Sequence, residues 1–357
     1  MANLYLPNGF IDFARMEKLA GTLNIVIGPR NAGKTYSALL HFTGAGRPFI
    51  FLRTQKSQID LVFSEELSPF NKLNRDLSTR YIVDKVDKSG LIAVYNDYEE
   101  KDGARIPAGD RIGYCLALSQ VGATRGFNLD EVEVLIYDEF VRHPGEIVRG
   151  ADKQFTMYAD IVFTLNRARE MEGKPAIRQW LFGNSDDLSN NILLELRIVN
   201  TIIKMRQSGE NYVRLADRNI AIFLLDDSPA AKRLAEMSEL SKVFSGSSYT
   251  DMAYKNEFVY DDFSDCRAID LHAYKPLFRW GNIVCYQHKR QDSYYLRSVD
   301  PGAVFSGIPW YPSDKRGTTN AKEENAWIYF SWLACNVTFD SFATKAMFLS
   351  LYSLDKK

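Results

Sequence analysis

Residues 28 to 35 read GPRNAGKT, two glycines bracketing four residues, with a lysine and a threonine directly after the second. The apolar run LNIVI (23–27) precedes them and YSALL (36–40) follows. Backbone N–H groups reach a polyphosphate only where side chains do not intervene, and Gly28 and Gly33 allow that approach. Lys34 adds a point charge for the β and γ oxygens. Thr35 offers a hydroxyl for Mg²⁺ at the start of the helix that should follow. Pro29, Arg30, Asn31, Ala32 and Tyr36 complete the candidate ATP-binding segment. The fixed positions of this motif arise by chance in on the order of one chain in a hundred of this length, and a strand before with a helix after makes chance rarer still.

Around the loop, five more short runs rich in β-branched and aromatic residues recur before residue 227. They are PFIFLR (48–53), IGYCLALS (112–119), VEVLIYD (132–138), RQWLFGN (178–184) and NIAIFLL (219–225). Near-continuous apolarity, without alternation, suits strands covered by helices on both faces, so an α/β fold with a mostly parallel sheet is expected. From Asp226 the character changes. DDSPAAKRLAEMSELSKVFSGSS opens on a capping Ser-Pro and ends in a Gly/Ser break, which predicts a helical linker over 227–256. Beyond it, FRWGNIVCYQHKRQDSYYLRSV reads as two strands joined by a polar turn, and EENAWIYFSWLACNV and SFATKAMFLSLYSL read as helices. The expected division is 1–226, 227–256 and 257–357, the last a smaller α+β domain.

With 357 residues, the chain exceeds the usual single-domain size. A formal net charge of −1 excludes a histone-like polycation, so any nucleic-acid contact must come from a local patch or from converging subunits. Cys115, Cys266, Cys285 and Cys335 lie far apart without a CxxC, which argues against structural zinc and a disulfide framework. The start, MANLYLPNGFIDFAR, lacks a basic-then-apolar leader, and no run is long enough to span a bilayer. A soluble intracellular protein without a membrane segment is expected.

About a hundred residues after the loop, VLIYDEF ends an apolar strand with two acids. Asp138 sits where a second Mg²⁺ contact belongs, and Glu139 where a general base would polarise the attacking water. Hydrolysis also needs positive charge against the γ-phosphate, often from a neighbouring subunit. Arg167 and Arg169 in NRARE are candidates for that finger; solvated helix arginines are the plain alternative. Arg125 in GATRGFN is another, its loop and flanking glycines suggesting a mobile reporter. Asn184 in LFGNSDD can hydrogen-bond the γ-phosphate or the water, or simply cap a strand.

Taken in order, LNIVIGPRNAGKTYS, PFIFLRTQK, GATRGFN, VLIYDEFVR, VFTLNRARE and LFGNSDD resemble the DNA-packaging ATPases of the small protein-primed podoviruses, the Picovirinae type, distant relatives of large terminases. The resemblance covers most of the first 227 residues and is weak in the last third. It implies a P-loop NTPase of the additional-strand (ASCE) type. Gly28, Gly33, Lys34 and Thr35 match the phosphate loop, Asp138 and Glu139 the acidic pair, and Arg167 and Arg169 the R-x-R after a VF pair. The chain has no arginine directly after Phe163, where the family can place one. Arg125 sits where relatives have a basic residue acting across the subunit interface, and Arg53 and Lys56 match basic positions facing a central channel. Also implied are a homomeric ring of five subunits on the capsid portal, with a packaging RNA between, that threads double-stranded DNA in the host cytoplasm.

Terminases carry an RNase H-like nuclease after the motor, built on clustered carboxylates that hold two metals. Here the hairpin shows Arg279 and no acid on its first strand, so a vestigial nuclease fold without cleavage is expected. Between His272 and Ser298, Lys275, Arg279, Lys289, Arg290 and Arg297 face one acid, Asp292, with aromatics interleaved. Such a stretch can hold DNA or RNA, or be a solvated strand face. Two rivals to a translocating motor stay open: a phage assembly or secretion ATPase, and a nucleotide-gated capsid-binding scaffold without turnover.

Overall fold

The computed structural model describes residues 2–64, 67–86, 91–124, 129–141, 153–167, 169–184, 188–239, 243 and 263–352. Contacts divide the chain into two compact units, Met1–Ile192 with Lys204–Tyr260, and Leu193–Ile203 with Asp261–Lys357.

In the first unit the strands are β1 (Leu23–Ile27), β2 (Phe49–Arg53), β3 (Ile82–Lys85), β4 (Ile92–Tyr95), β5 (Tyr98–Lys101), β6 (Ala104–Pro107), β7 (Arg111–Ala117), β8 (Val134–Asp138), β9 (Arg178–Gly183), β10 (Tyr212–Leu215) and β11 (Ile220–Leu224). Nine form one sheet in the order β10-β11-β1-β9-β8-β2-β7-β4-β3, and β5 and β6 form a separate hairpin. Six neighbours, β11-β1-β9-β8-β2-β7, are parallel, and each corresponds to one of the six apolar runs. Every residue of β1, β8 and β11 is buried, as strands covered on both faces require. Strand β9 lies between the P-loop strand β1 and the acidic strand β8, which is the additional-strand arrangement. β3, β4 and β10 carry no strong sequence signal. They are four-residue antiparallel additions at the sheet's two sides, and the outermost, β3 and β10, are half-exposed.

Below the sheet, Trp180 of β9 packs 4.5 Å from Phe13 and 6.0 Å from Phe223, centroid to centroid, and Phe13 meets Phe42 edge-on at 5.3 Å. These rings join the helices Phe13–Leu19 and Lys34–Gly44 to the central strands. Each such ring contributes about 1.5–3 kcal/mol of burial, so the cluster sets how rigidly the P-loop helix is seated. After β11, the predicted Ser-Pro start is a helix at Pro229–Met237, whose cap Ser228 accepts a hydrogen bond from Ala231 N. Most of the expected linker beyond it lies outside the described residues.

The second unit holds β12 (Tyr274–Trp280), β13 (Ile283–His288), β14 (Tyr294–Ser298), β15 (Trp310–Tyr311) and β16 (Val337–Phe339), in the order β15-β12-β13-β14-β16. It is the expected α+β arrangement with one difference. The stretch read as two strands is the end of β12 plus two further strands, because Gly281, at φ +52°, turns the chain after Trp280. Helices at Lys315–Glu324, Ala326–Leu333 and Phe342–Tyr352 cover its core of Phe278, Cys285, Leu296, Ile328, Phe339 and Phe348. All four cysteines are free. Among the described residues no helix is long and apolar enough to cross a membrane.

Candidate active site

Parallel strands end on one edge, so loops distant in sequence meet where β1, β2, β8 and β9 finish. Residues 28–33 leave β1 and enter the helix Lys34–Gly44. Gly33 stands at φ +82°, a conformation glycine adopts without cost, and no side chain caps the helix it opens. Gly28 is required for a reason the motif does not state: a Cβ there would lie 2.6 Å from Leu225 Cβ.

The Lys34 ammonium donates to Gly28 O at 2.7 Å, Pro29 O at 2.8 Å and Asn184 Oδ1 at 3.0 Å. Asn184, just past β9, thereby stands beside the phosphate loop. Thr35 Oγ1 donates to Asp138 Oδ1 at 2.7 Å, joining residues 103 apart in sequence. Tyr36 turns elsewhere: its hydroxyl donates to Asp76 and its ring lies under Lys72, so the side chain docks a neighbouring helix.

Asp138 is 3% exposed and Glu139 51%. Arg53, at the end of β2 beside β8, places Nη2 2.7 Å from Asp138 Oδ2 and pairs through Nη1 with Glu139. The contact with Oδ2 is an ion pair without hydrogen-bond alignment, so this buried oxygen has a charge nearby but no directional donor. Such an oxygen fits the second contact of a Mg²⁺ site. The Thr35 hydroxyl and Asp138 carboxylate would hold the ion, with water and substrate oxygens filling the remaining positions, as Mg²⁺ commonly requires. Among the described residues no group of three or more His, Cys, Asp or Glu is placed to hold a metal.

Several arginines stand elsewhere than expected. Arg53 was expected to face nucleic acid, but its guanidinium is engaged by the acidic pair. The missed signal is its place at a strand exit beside Asp138, legible only once β2 and β8 are known to be neighbours. Arg169 is 5% exposed and donates to Asp130 O, Val132 O and Pro175 O. These carbonyls lie at the opposite edge of the sheet, near where β8 and β9 begin, so Arg169 braces the fold and cannot act as a finger. Arg167 is exposed, just after the helix Gln154–Asn166, and Asn166 bonds Ile177 N at the start of β9. It therefore stands away from its own phosphate loop. Arg125 lies outside the described residues.

Arg279 is also buried, donating to the carbonyls of Gly281, Pro301 and Ala303, which removes it from a nucleic-acid surface. Lys275, Lys289 and Arg290 are exposed and share one end of the β12–β13 ladder, where Lys289 N bonds Ala273 O. Lys56 is exposed at the start of the helix Lys56–Asp60, directly after β2.

No protein-family model matches the chain, and no curated protein matches it in sequence. Solved structures do match. The Phi-28 gp11 DNA packaging motor superposes with a TM-score of 0.65 at 14% identity, over 98% of this chain and 100% of that one. The bacteriophage Phi-29 viral genome packaging motor assembly gives 0.62 at 15% identity, over 96% and 98%. This chain shares their fold. The likeness covers the weakly recognisable last third as well as the motif-bearing first part, so it goes beyond what the motifs alone support.

Proposed function

We propose that this protein is an ATP hydrolase that drives double-stranded DNA into a preformed viral capsid. The observation that carries the reading is the convergence of Lys34, Thr35, Asp138, Glu139 and Arg53 on one sheet edge. The fold shared with two packaging motors over nearly the whole chain supports the choice of polymer.

In this reading the Lys34 ammonium exchanges the Gly28 and Pro29 carbonyls for phosphate oxygens, and Asn184 stays at hand to follow their loss. Bound Mg²⁺ would neutralise charge on the β and γ oxygens from the Thr35 and Asp138 side. Glu139 takes the proton of the attacking water, which it can do only when Arg53 releases it, because the carboxylate oxygen that pairs with the guanidinium is not turned to a water. Arg53 therefore gates the base.

The finer roles belong to the same proposal. Subunits form a ring, five in number, on a portal carrying packaging RNA, with Arg167 or Arg125 reaching the neighbour's site. Lys56 meets DNA phosphates without reading bases. Lys275, Lys289 and Arg290 hold nucleic acid on a nuclease-like domain that does not cut. Residues 1–226 act as motor, 227–256 as helical linker and 257–357 as the nuclease-like nucleic-acid-binding domain.

The decisive experiment measures ATP turnover by the full chain with DNA and portal present. Wild type should hydrolyse ATP, and Glu139→Gln should bind it with turnover collapsed. A wild-type chain that binds ATP without hydrolysis under these conditions would instead favour the nucleotide-gated scaffold.

A further inference from the structure

We infer that Gln154 is a positioning residue for the base Glu139, acting with Asn190 through the carbonyl of Phe140; the inference rests on the ATP-hydrolase reading. Glu139 has φ +54°, in the left-handed region that a non-glycine residue holds only where its surroundings impose it. The residue that follows is fixed at both its backbone N–H and its carbonyl. Phe140 N donates to Phe182 O at 3.1 Å, and Phe140 O accepts from Gln154 Nε2 at 2.7 Å and Asn190 Nδ2 at 3.1 Å.

The two amides form part of a buried chain with one consistent direction. Asn190 Nδ2 also donates to Gln154 Oε1 at 3.0 Å, while Asn190 Oδ1 accepts from Ile192 N, which fixes the orientation of both amides. Gln154 Nε2 donates to Tyr137 OH at 2.7 Å, and the Tyr137 hydroxyl shares a hydrogen bond with Thr54 Oγ1 at 2.9 Å. Gln154 is 1% exposed, Asn190 3%, Tyr137 0% and Thr54 5%. Thr54 directly follows Arg53, and Tyr137 precedes the acidic pair. The chain thus ties the exits of β2 and β8 to the segment after β9, where the gating arginine, the acids and Asn184 stand. Flipping either amide would set donor against donor.

Replacing Gln154 by methionine, similar in length but unable to donate, would take from Phe140 O its shorter donor and from Asn190 an acceptor. A reacting group misplaced by about 1 Å costs on the order of a hundredfold in rate. The phosphate loop touches none of these residues through the bonds described, so ATP affinity should be spared.

The test uses the full chain, measuring kcat and KM for ATP, a melting curve, and the pH dependence of kcat. Gln154→Met should lower kcat about tenfold to a hundredfold with KM within about threefold. The same substitution in a Glu139→Gln background should change the residual rate little, since there is no base left to position. Gln154→Glu covers the case in which the methionine variant does not fold. Protonated, it can still donate to Phe140 O; ionised, it cannot, so its kcat relative to wild type should rise as pH falls. Wild-type kcat per folded molecule in Gln154→Met, or a pH-independent ratio in Gln154→Glu, would overturn the inference while leaving the hydrolase reading intact. An inactive wild type would remove that reading itself.

Discussion

The two edges of the parallel sheet use the same kinds of residue for opposite ends. Where the strands begin, Glu17 accepts from His41 Nε2 at 2.6 Å and Arg178 Nη1 at 3.0 Å and pairs with Arg47, which reaches Glu133 at 3.1 Å. Arg169 nearby satisfies three backbone carbonyls. Where the strands end, Glu139 is half exposed and left-handed, and Asp138 keeps an oxygen without an aligned donor. A charged cluster whose hydrogen bonds are complete holds structure together. One with an open oxygen and an imposed backbone conformation is prepared to take a ligand.

The largest expected effect lies at the second edge. Glu139→Gln should lower ATP turnover by about a thousandfold with nucleotide affinity retained, measured by phosphate release and by binding of a labelled nucleotide. Unchanged turnover would erase the functional side of the contrast. At the first edge, Arg169→Ala should lower folding stability by about 3 kcal/mol in chemical denaturation, because three carbonyls lose their donor, while kcat per folded molecule stays at the wild-type level. A folded Arg169→Ala protein without turnover would show that this edge takes part in catalysis.

Glu17 gives a sharper version. Burial raises its pKa, but the hydrogen bond from His41 and the charges of Arg47, His41 and Arg178 outweigh that and hold the carboxyl below its ordinary value of 4.5. A depressed carboxyl stabilises the fold above its unfolded pKa, and that stabilisation is lost as pH falls through the folded one. Glu17→Gln should therefore cost about 1–2 kcal/mol at pH 7, and the gap from wild type should close as pH drops below 4.5. A gap of constant size across that range would mean that the pairing contributes nothing to stability. The smallest effect concerns the second unit. Replacing Lys275, Lys289 and Arg290 together by alanine should leave melting unchanged and reduce the salt dependence of nucleic-acid binding by a slope of about three. No change in slope would remove these three residues from any contact.

Much of the fold was legible because its signals are local. Continuous burial makes a strand apolar throughout, and all six such runs are the six parallel strands. The edge strands IVDK and YVRL escaped because one side of each meets water, so their composition resembles a loop. The site divides in the same way. The phosphate loop and acidic pair follow from spacing and chemistry, whereas Arg53, Arg169 and Arg279 look alike in sequence and part ways in the fold: Arg53 pairs with two carboxylates, and the other two are buried against backbone carbonyls.

By itself, the sequence determined a glycine-bracketed loop after one apolar run, an acidic pair after another, and a parallel sheet to carry both, because each of these signals is written in residues close together in the chain. The tertiary structure alone decided what each arginine touches and how Glu139 is held. A long charged side chain is buried or free according to which carbonyls and carboxylates distant segments bring to it, and no local pattern records that meeting.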